Sequence, residues 1–558
     1  MVTAHDANGI PTQTDITGPN SDTRTNYQDI HYLQQLDVNY RKSFGNNNLA
    51  VLVGGQQEYH TYNELDAKRV NFILNTSPSL QLGSADGSTN LSTFYDWGLM
   101  GAFGRINYDY SKKYLFEANF REDGSSRLSP GKNWDFFPSL SAGWRITEES
   151  FMESLKPVLS EMKLRASYGV LGNQNIPGAD NNQLYYPYQA IIGPQPYTYY
   201  TFGSNLYSPM TITQSPNNTF TWEKTALTDI AVEGNLWKGL VTYSLGYFNK
   251  RTTNKLMLTQ VASDNGGLPF VANVGSMRNY GYEFELGFNK TTSRGITISA
   301  NGNLTYMTNE LTDLGGQDLA ASGVTRDMVG HPLNAFYLYK SDGLLTKSEF
   351  ENPATALLPG QKWGDQKIMD VSGPNGVPDG VISAADRVIS DKSSTPKWFF
   401  GLNFDISYKG FGIAGMLQGA ADYYEYLGGS VGYGFNSGYS TTQWTIENSY
   451  NPLVNESNYN TRLPRLSTTN TINNNYPSDM FLFNCSYVRL KNLQFYYTIP
   501  KELCNKININ NIKVYFSGQN LFTLSALPTA LGVDPEIGSA TGGYPLVRIV
   551  TLGLNVNF

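Results

Sequence analysis

From residue 280 to 289 the chain alternates strictly. Tyr280, Tyr282, Phe284, Leu286 and Phe288 fall on one parity, and Gly281, Glu283, Glu285, Gly287 and Asn289 on the other. A period of two puts successive side chains on opposite faces of a strand, so one face here is apolar and the other polar. Ile296, Ile298, Ala300, Leu304 and Tyr306 repeat the pattern against Thr297, Ser299, Asn301, Asn303 and Thr305. So do Tyr114, Phe116, Ala118 and Phe120 against Glu117, Asn119 and Arg121, and Val241, Tyr243, Leu245 and Tyr247 against Thr242, Ser244 and Gly246. Runs of this kind predict about fifteen strands. They fall near residues 30–42, 48–60, 99–110, 113–121, 138–146, 160–170, 223–233, 237–251, 276–290, 293–307, 395–408, 410–424, 484–499, 511–524 and 544–558.

The connections between these runs alternate in length. A short turn at Ser43–Asn47 is followed by a long stretch at 61–98, and Ser111–Lys112 by 122–137. The turns at Asn235–Leu236, Thr291–Thr292 and Lys409 are each followed by a loop of tens of residues, the long segments being 171–222, 252–275, 308–394, 425–483 and 525–543. A transmembrane barrel has a reason for this order: one rim only reverses the chain, while the other meets ligand. The expected fold class is therefore all-β, a transmembrane antiparallel β-barrel, with an irregular outside segment at 1–29 and barrel wall from 30 to 558. Trp144 and Trp237, in or beside strands, read as membrane-interface girdle residues.

Composition narrows the alternatives. No uninterrupted apolar run approaches the roughly 18 residues a spanning helix needs, which excludes a helical membrane protein. Aromatic residues reach 13% while charged residues are only 16%, a sparse charge for a soluble enzyme surface. A net charge of -7 with scattered Lys and Arg argues against a nucleic-acid partner. Cys485 and Cys504 are too few for a disulfide scaffold and lack metal-ligand spacing. Met1 is followed by a polar stretch with no basic and apolar leader, although the rest of the chain reads as exported. Single-chain bacterial barrels have even strand counts, so an odd count places the expected start of this chain mid-barrel, with earlier strands missing.

The last strand carries Tyr544, Leu546, Val550, Leu552, Leu554, Val556 and Phe558 on one parity. Its ending, with Thr551, Gly553, Val556 and Phe558, resembles the signal read by the outer-membrane barrel assembly machinery; an ordinary amphipathic strand is the other reading. Longer segments carry a wider resemblance. KYLFEANFREDGSSRLSPGKNWDFFPSLSAGWRITEESFM (Lys113 to Met152), KLRASYGVLGNQNI (Lys163 to Ile176), VGSMRNYGYEFEL (Val274 to Leu286), SGQNLF (Ser517 to Phe522) and DPE (Asp534 to Glu536) are similar to SusC-like, or RagA-like, TonB-dependent transporters. The resemblance runs from about Tyr32 to the end and implies a barrel of about 22 strands around a plug. It further implies a SusD-like lipoprotein lid, TonB coupling through the plug, a Gram-negative outer-membrane setting with lipid and lipopolysaccharide contacts, and import of oligosaccharides or peptides. The chain itself shows no plug or TonB box. A passive porin-like barrel, a soluble secreted glycan-binding or glycan-cleaving β-protein and a nonfunctional remnant of a broken gene stay open beside it.

Candidate chemistry is sparse. GDQKIMDVSGPNGVPDGVISAADR (Gly364 to Arg387) gathers Asp370, Asn375, Asp379 and Asp386, oxygen ligands suited to calcium. No Glu closes the loop at EF-hand spacing, and Gly373–Pro374 interrupts the tighter family version, so an acidic, turn-rich loop is an equal reading. Trp97, Trp134, Trp222, Trp363 and Trp444, with the run Tyr197 to Tyr200 and above all Tyr199 and Tyr200, fall in or beside long loops. Their faces suit sugar rings or peptide side chains; packing between loops and the interface girdle are the competing roles. His5, His31, His60 and His331 have no metal-ligand spacing, no catalytic motif occurs, and Glu283 and Glu285 read as a solvated lumen wall, so no enzyme is expected.

Overall fold

The computed structural model describes residues 4–5, 11–12, 20–72, 79–176, 184–194, 199–203, 205–207, 209–259, 270–316, 322–373, 376–428, 441–467, 476–537 and 546–558. Fifteen strands form one antiparallel sheet in strict chain order, each bonded to its neighbours in sequence. The wall strands are β1 Ser21–Phe44, β2 Asn47–Val70, β3 Ser84–Tyr110, β4 Tyr114–Ser125, β5 Trp134–Arg145, β6 Leu159–Asn173, β7 Glu223–Leu236 and β8 Val241–Thr253. They continue with β9 Ser276–Thr291, β10 Ile296–Asp313, β11 Trp398–Tyr408, β12 Phe411–Ala421, β13 Tyr487–Thr498, β14 Asn511–Ser525 and β15 Ile549–Asn557. The expected up-and-down wall of about fifteen strands is what forms, and no described helix is long and apolar enough to cross a membrane.

Register explains the alternation. On one rung Leu245 pairs with Phe284, Phe284 with Leu304, Leu304 with Phe400, Phe400 with Gly419, Gly419 with Val488, and Val488 with Leu524. Cross-strand partners share a face, so the apolar residues of separate strands merge into one outer surface. Leu245, Phe284 and Leu304 on it are exposed, and Phe400 folds its ring over Gly419, where an added Cβ would lie 2.2 Å from the ring. The opposite, inner face carries Glu283 against Thr305 and Gly246, and Lys163 against Glu233. An apolar face turned outward, with the polar face inward, is a wall built for lipid.

The first three strands run further than their sequence pattern suggests. β1 and β2 span 24 residues each and β3 27, so each of the first two extends about 80 Å against an apolar band of about 25 Å. Their upper parts, such as Asn63–Val70 and Ser84–Thr93, are mostly polar, with only isolated apolar residues such as the exposed Leu65 and Leu91, yet the ladder between them continues. As a result the connection expected at 61–98 shrinks to 71–83, and that at 122–137 to 126–133.

Buried apolar residues concentrate at the long-loop end. One cluster joins Leu128, Phe137, Ile176, Phe220, Trp222, Leu256 and Val271; another joins Ala420, Tyr423, Leu427, Phe483, Cys485, Tyr487, Leu527 and Leu531. A third gathers Leu344, Tyr450, Leu463, Met480 and Phe481. These clusters weld loops from distant parts of the chain into packed units above the wall.

Candidate functional site

On the inner face of β1, β2 and β3 the hairpin register aligns rings that are far apart in sequence. His31 faces His60, His60 faces Trp97, and Tyr62 faces Tyr95. His60 and Trp97 stack with centroids 5.5 Å apart and planes 29° apart; Tyr62 and Tyr95 stack at 4.9 Å and 14°. Tyr185, from the loop after β6, continues the row at 4.2 Å and 13° from Tyr95, and Tyr27 closes its other end 6.3 Å from Tyr62. Rings stacked across strands stand upright on the wall, so they turn their edges to the interior and form a rib.

Carboxylates bind the imidazoles of this rib. The His31 Nε2 lies 2.7 Å from Glu58 Oε1, and the His60 Nε2 2.8 Å from Asp29 Oδ1. The Tyr62 hydroxyl donates to Glu64, while the Tyr186 hydroxyl donates to the Asp96 carbonyl at 2.6 Å. Arg127 anchors the flank: only 3% exposed, it holds its guanidinium 4.5 Å over Trp97 and 4.9 Å over Tyr185, with Nη1 donating to Asn175 Oδ1 at 3.2 Å. Burial pulls the Arg127 pKa below its ordinary value and pushes the Tyr185 phenol up to about 12.

The motifs that resemble a transporter family fasten the loops around this rib. Ser125 of the DGSSR run donates to Gln174 of the GNQN run at 2.5 Å, beside the Arg127–Asn175 bond. Trp222 Nε1 donates to the Asn133 carbonyl at 2.9 Å, and Asn217 Nδ2 to the Val271 carbonyl at 2.8 Å. At the far end Arg489, 2% exposed, grips the DPE segment, with Nη2 2.6 Å from Asp534 Oδ2 and Nη1 2.8 Å from Glu536 Oε2. Lys491 adds a contact to Glu536 at 2.6 Å, and the Tyr423 hydroxyl donates to the Pro535 carbonyl at 2.7 Å.

The residues singled out from sequence separate into different settings. Trp97 belongs to the rib. Trp222 is buried with its ring edge-on to Phe137 at 5.2 Å, in a loop core that leaves no open face. Trp363 packs against Phe350 at 5.7 Å and Trp444 against Phe483 at 6.0 Å, inside loop clusters. Trp134 faces Gly124 on the outer side of the wall, half exposed. Tyr199 and Tyr200 are exposed, Tyr200 on a small hairpin where it stacks with Tyr207 at 6.2 Å; Tyr197 lies outside the described residues. Glu283 and Glu285 are exposed on the inner face.

In the acidic loop, Asp386 is fully buried and accepts three backbone amides, from Val371 and Ser372 at 2.9 Å and from Ser383 at 2.7 Å. Asp370 accepts the Gly380 amide at 2.6 Å, and Asp379 the Val381 amide at 2.9 Å. Asn375 lies outside the described residues, among which no group of three or more His, Cys, Asp or Glu converges on a cation position. On β15, Thr551 pairs with Ser517, Gly553 with Tyr515 and Val556 with Ile512, while Phe558 is almost wholly exposed; Tyr544 lies outside the described residues. The paired histidines escaped the sequence reading because their spacing matches no motif. Counting outward equally from the Gly45–Asn46 turn brings His31 opposite His60 and would have found them.

Residues 3–521 match the family model described as "TonB dependent receptor-like, beta-barrel". Among curated proteins the chain is 30% identical over 546 residues to TonB-dependent receptor P26 of Formosa agariphila, covering 93% of this chain and 52% of that protein. It is 28% identical over 550 residues to TonB-dependent receptor SusC of Bacteroides thetaiotaomicron, covering 93% and 49%. The chain thus spans about half the length of the curated relatives it matches. Among solved structures it shares its fold with the RagAB peptide transporter, at a TM-score of 0.79 and 21% identity, covering 96% of this chain and 56% of the other. Family match, strand order and an outward apolar face agree: the chain belongs to the TonB dependent receptor-like β-barrel family, as a multi-pass barrel wall of the outer membrane.

Proposed function

We propose that this chain forms the wall and ligand-contacting loops of a TonB-driven importer of oligosaccharides or peptides that works with a SusD-like surface lipoprotein. The observation that carries the reading is the inner-wall rib. Its stacked rings leave hydroxyl and imidazole edges toward the interior, with the carboxylates of Asp29 and Glu58 beside them. Such edges suit a ligand rich in hydroxyl or amide groups. Tyr27, at the open end of the row and 65% exposed, keeps a ring face for stacking. The RagAB peptide transporter, which shares this fold, names one of these two ligand classes, peptides.

The test uses the full-length receptor with its lipoprotein in an outer membrane, offered a labelled neutral hexasaccharide and a labelled hexapeptide. One of the two enters only while TonB is functional, and Tyr27→Ala lowers that uptake about tenfold, equivalent to ~1.4 kcal/mol of binding. Uptake that persists without TonB would instead mark a passive porin-like barrel. Entry of neither probe would overturn the reading.

A further inference from the structure

At the short-turn end most reversals are brief, but residues 146–158, between β5 and β6, fold into two short 3-10 helices, Ile146–Glu148 and Ser150–Leu155. Thr147 and Met152 are buried beneath them, whereas Phe151 is 64% exposed and Leu155 and Val158 50% each. The next reversal at this end adds Trp237, also 50% exposed, and joins the first: its backbone amide donates to the Val158 carbonyl at 2.8 Å. The Lys238 amide donates to Ser160 Oγ at 2.6 Å. The four apolar side chains therefore form one ledge held by two connections.

The direction in which the ledge projects is fixed by Glu149. Its Oε1 accepts the Tyr114 hydroxyl at 2.6 Å and the Trp144 indole N–H at 3.2 Å, and Lys113 Nζ lies 3.5 Å from its Oε2. Tyr114 and Trp144 pair with each other on the outer, apolar face of the wall. A segment tied to the polar tips of those two rings sits on the lipid side. Exposed Lys112 and Lys238 flank it at the same end.

We propose that this ledge is an interfacial anchor: Phe151, Leu155, Val158 and Trp237 enter the upper acyl region of the leaflet on the short-turn side, while Lys112 and Lys238 reach its phosphates. Three features favour a phospholipid occupant over a protein. The ledge is tied to the lipid-facing surface at Tyr114 and Trp144, those two wall rings donate their polar tips to one carboxylate, Glu149, and the exposed Lys112 and Lys238 stand at the same end, where phosphates lie. Tyrosine and tryptophan prefer that boundary because one end of each ring is apolar and the other hydrogen-bonds. The anchor sets how deeply the wall sits, and the proposal does not depend on which ligand is imported.

The experiment places Phe151→Cys and, separately, Leu155→Cys in the full-length receptor, each labelled with bimane and reconstituted in phosphatidylethanolamine–phosphatidylglycerol vesicles. Native Cys485 and Cys504 are buried and escape the label. Leu453→Cys, on an exposed loop tip, is the aqueous reference. Both ledge labels lose most of their fluorescence to lipids brominated near the top of the acyl chain and little to aqueous iodide, the reverse of Leu453→Cys. Quenching by iodide alone would place the ledge in water, and protection from both quenchers would place it against protein; either result overturns the proposal.

Discussion

Trp97 on β3 is flanked by the imidazole of His60 from β2, 5.5 Å away, and by the guanidinium of Arg127, 4.5 Å away, from the loop after β4. That loop is thereby tied to the inner wall through one ring. Trp97→Ala strips the buried Arg127 of a cation–π partner and removes a partly exposed ring from the stack, a cost of about 2 kcal/mol. The expected outcome is faster amide exchange across 126–133 and 184–194, with β9 to β12 unchanged, read by hydrogen-exchange mass spectrometry.

Arg489 predicts a second local failure. Its guanidinium is shared between Asp534 and Glu536 and also donates to Thr523 Oγ1 at 2.8 Å. Arg489→Met leaves two carboxylates facing a buried apolar stem, and breaking such a pair costs about 3–5 kcal/mol. The segment from Ala526 to Ile537 then becomes accessible to limited proteolysis. Asp534→Asn alone has a smaller effect, because Glu536 and Lys491 keep their contact.

The loop built on Lys347–Phe350 has a defined acid response. Glu349 closes a capping box with Thr346 and meets Lys367 Nζ at 2.8 Å; the Lys367 and Thr346 hydrogen bonds hold its carboxyl down to about 2. A depressed folded pKa stabilises above the unfolded value of about 4.3 and is lost as pH falls toward 2. Wild type and Glu349→Gln therefore differ in loop protection at neutral pH, and the difference closes between pH about 4.5 and 2. Lys367, raised first by its bond to Asp342 and then by Glu349, gives the opposite sign: its contribution holds at neutral pH and fades above its ordinary range.

Gly553 on β15 lies under the ring of Tyr515, which a Cβ would meet at 2.1 Å. Gly553→Val forces Tyr515 off the last strand and separates β14 from β15 on the inner face. The amount of heat-modifiable, folded barrel in the outer membrane falls several-fold. Thr551→Val, which adds no bulk against an aromatic ring, leaves it nearly unchanged.

The sequence made the wall legible because lipid imposes a rule on every second side chain. Phe284 and Leu304 are apolar for that reason, and their parity located β9 and β10 without any tertiary knowledge. The rule lapses where strands leave the membrane: Glu64, Asp66 and Lys68 stay in the ladder of β2 opposite Thr93, Leu91 and Thr89, where no lipid demands an apolar face. It says equally little about loop aromatics. Trp222 and Trp97 look alike in sequence, yet one is sealed against Phe137 and the other stands in the rib, a distinction made by contacts from residues tens of positions away. His31 and His60 became neighbours only through the register of the first hairpin.

The most direct test of the account scans spin labels through each position from 280 to 289 in the membrane-embedded receptor and measures collision with oxygen and with a water-soluble nickel chelate. Oxygen accessibility is predicted to peak at 280, 282, 284, 286 and 288, and nickel accessibility at the positions between, the two curves out of phase with a period of two. In-phase curves, or oxygen peaks at Glu283 and Glu285, would contradict a wall with lipid on one face and water on the other.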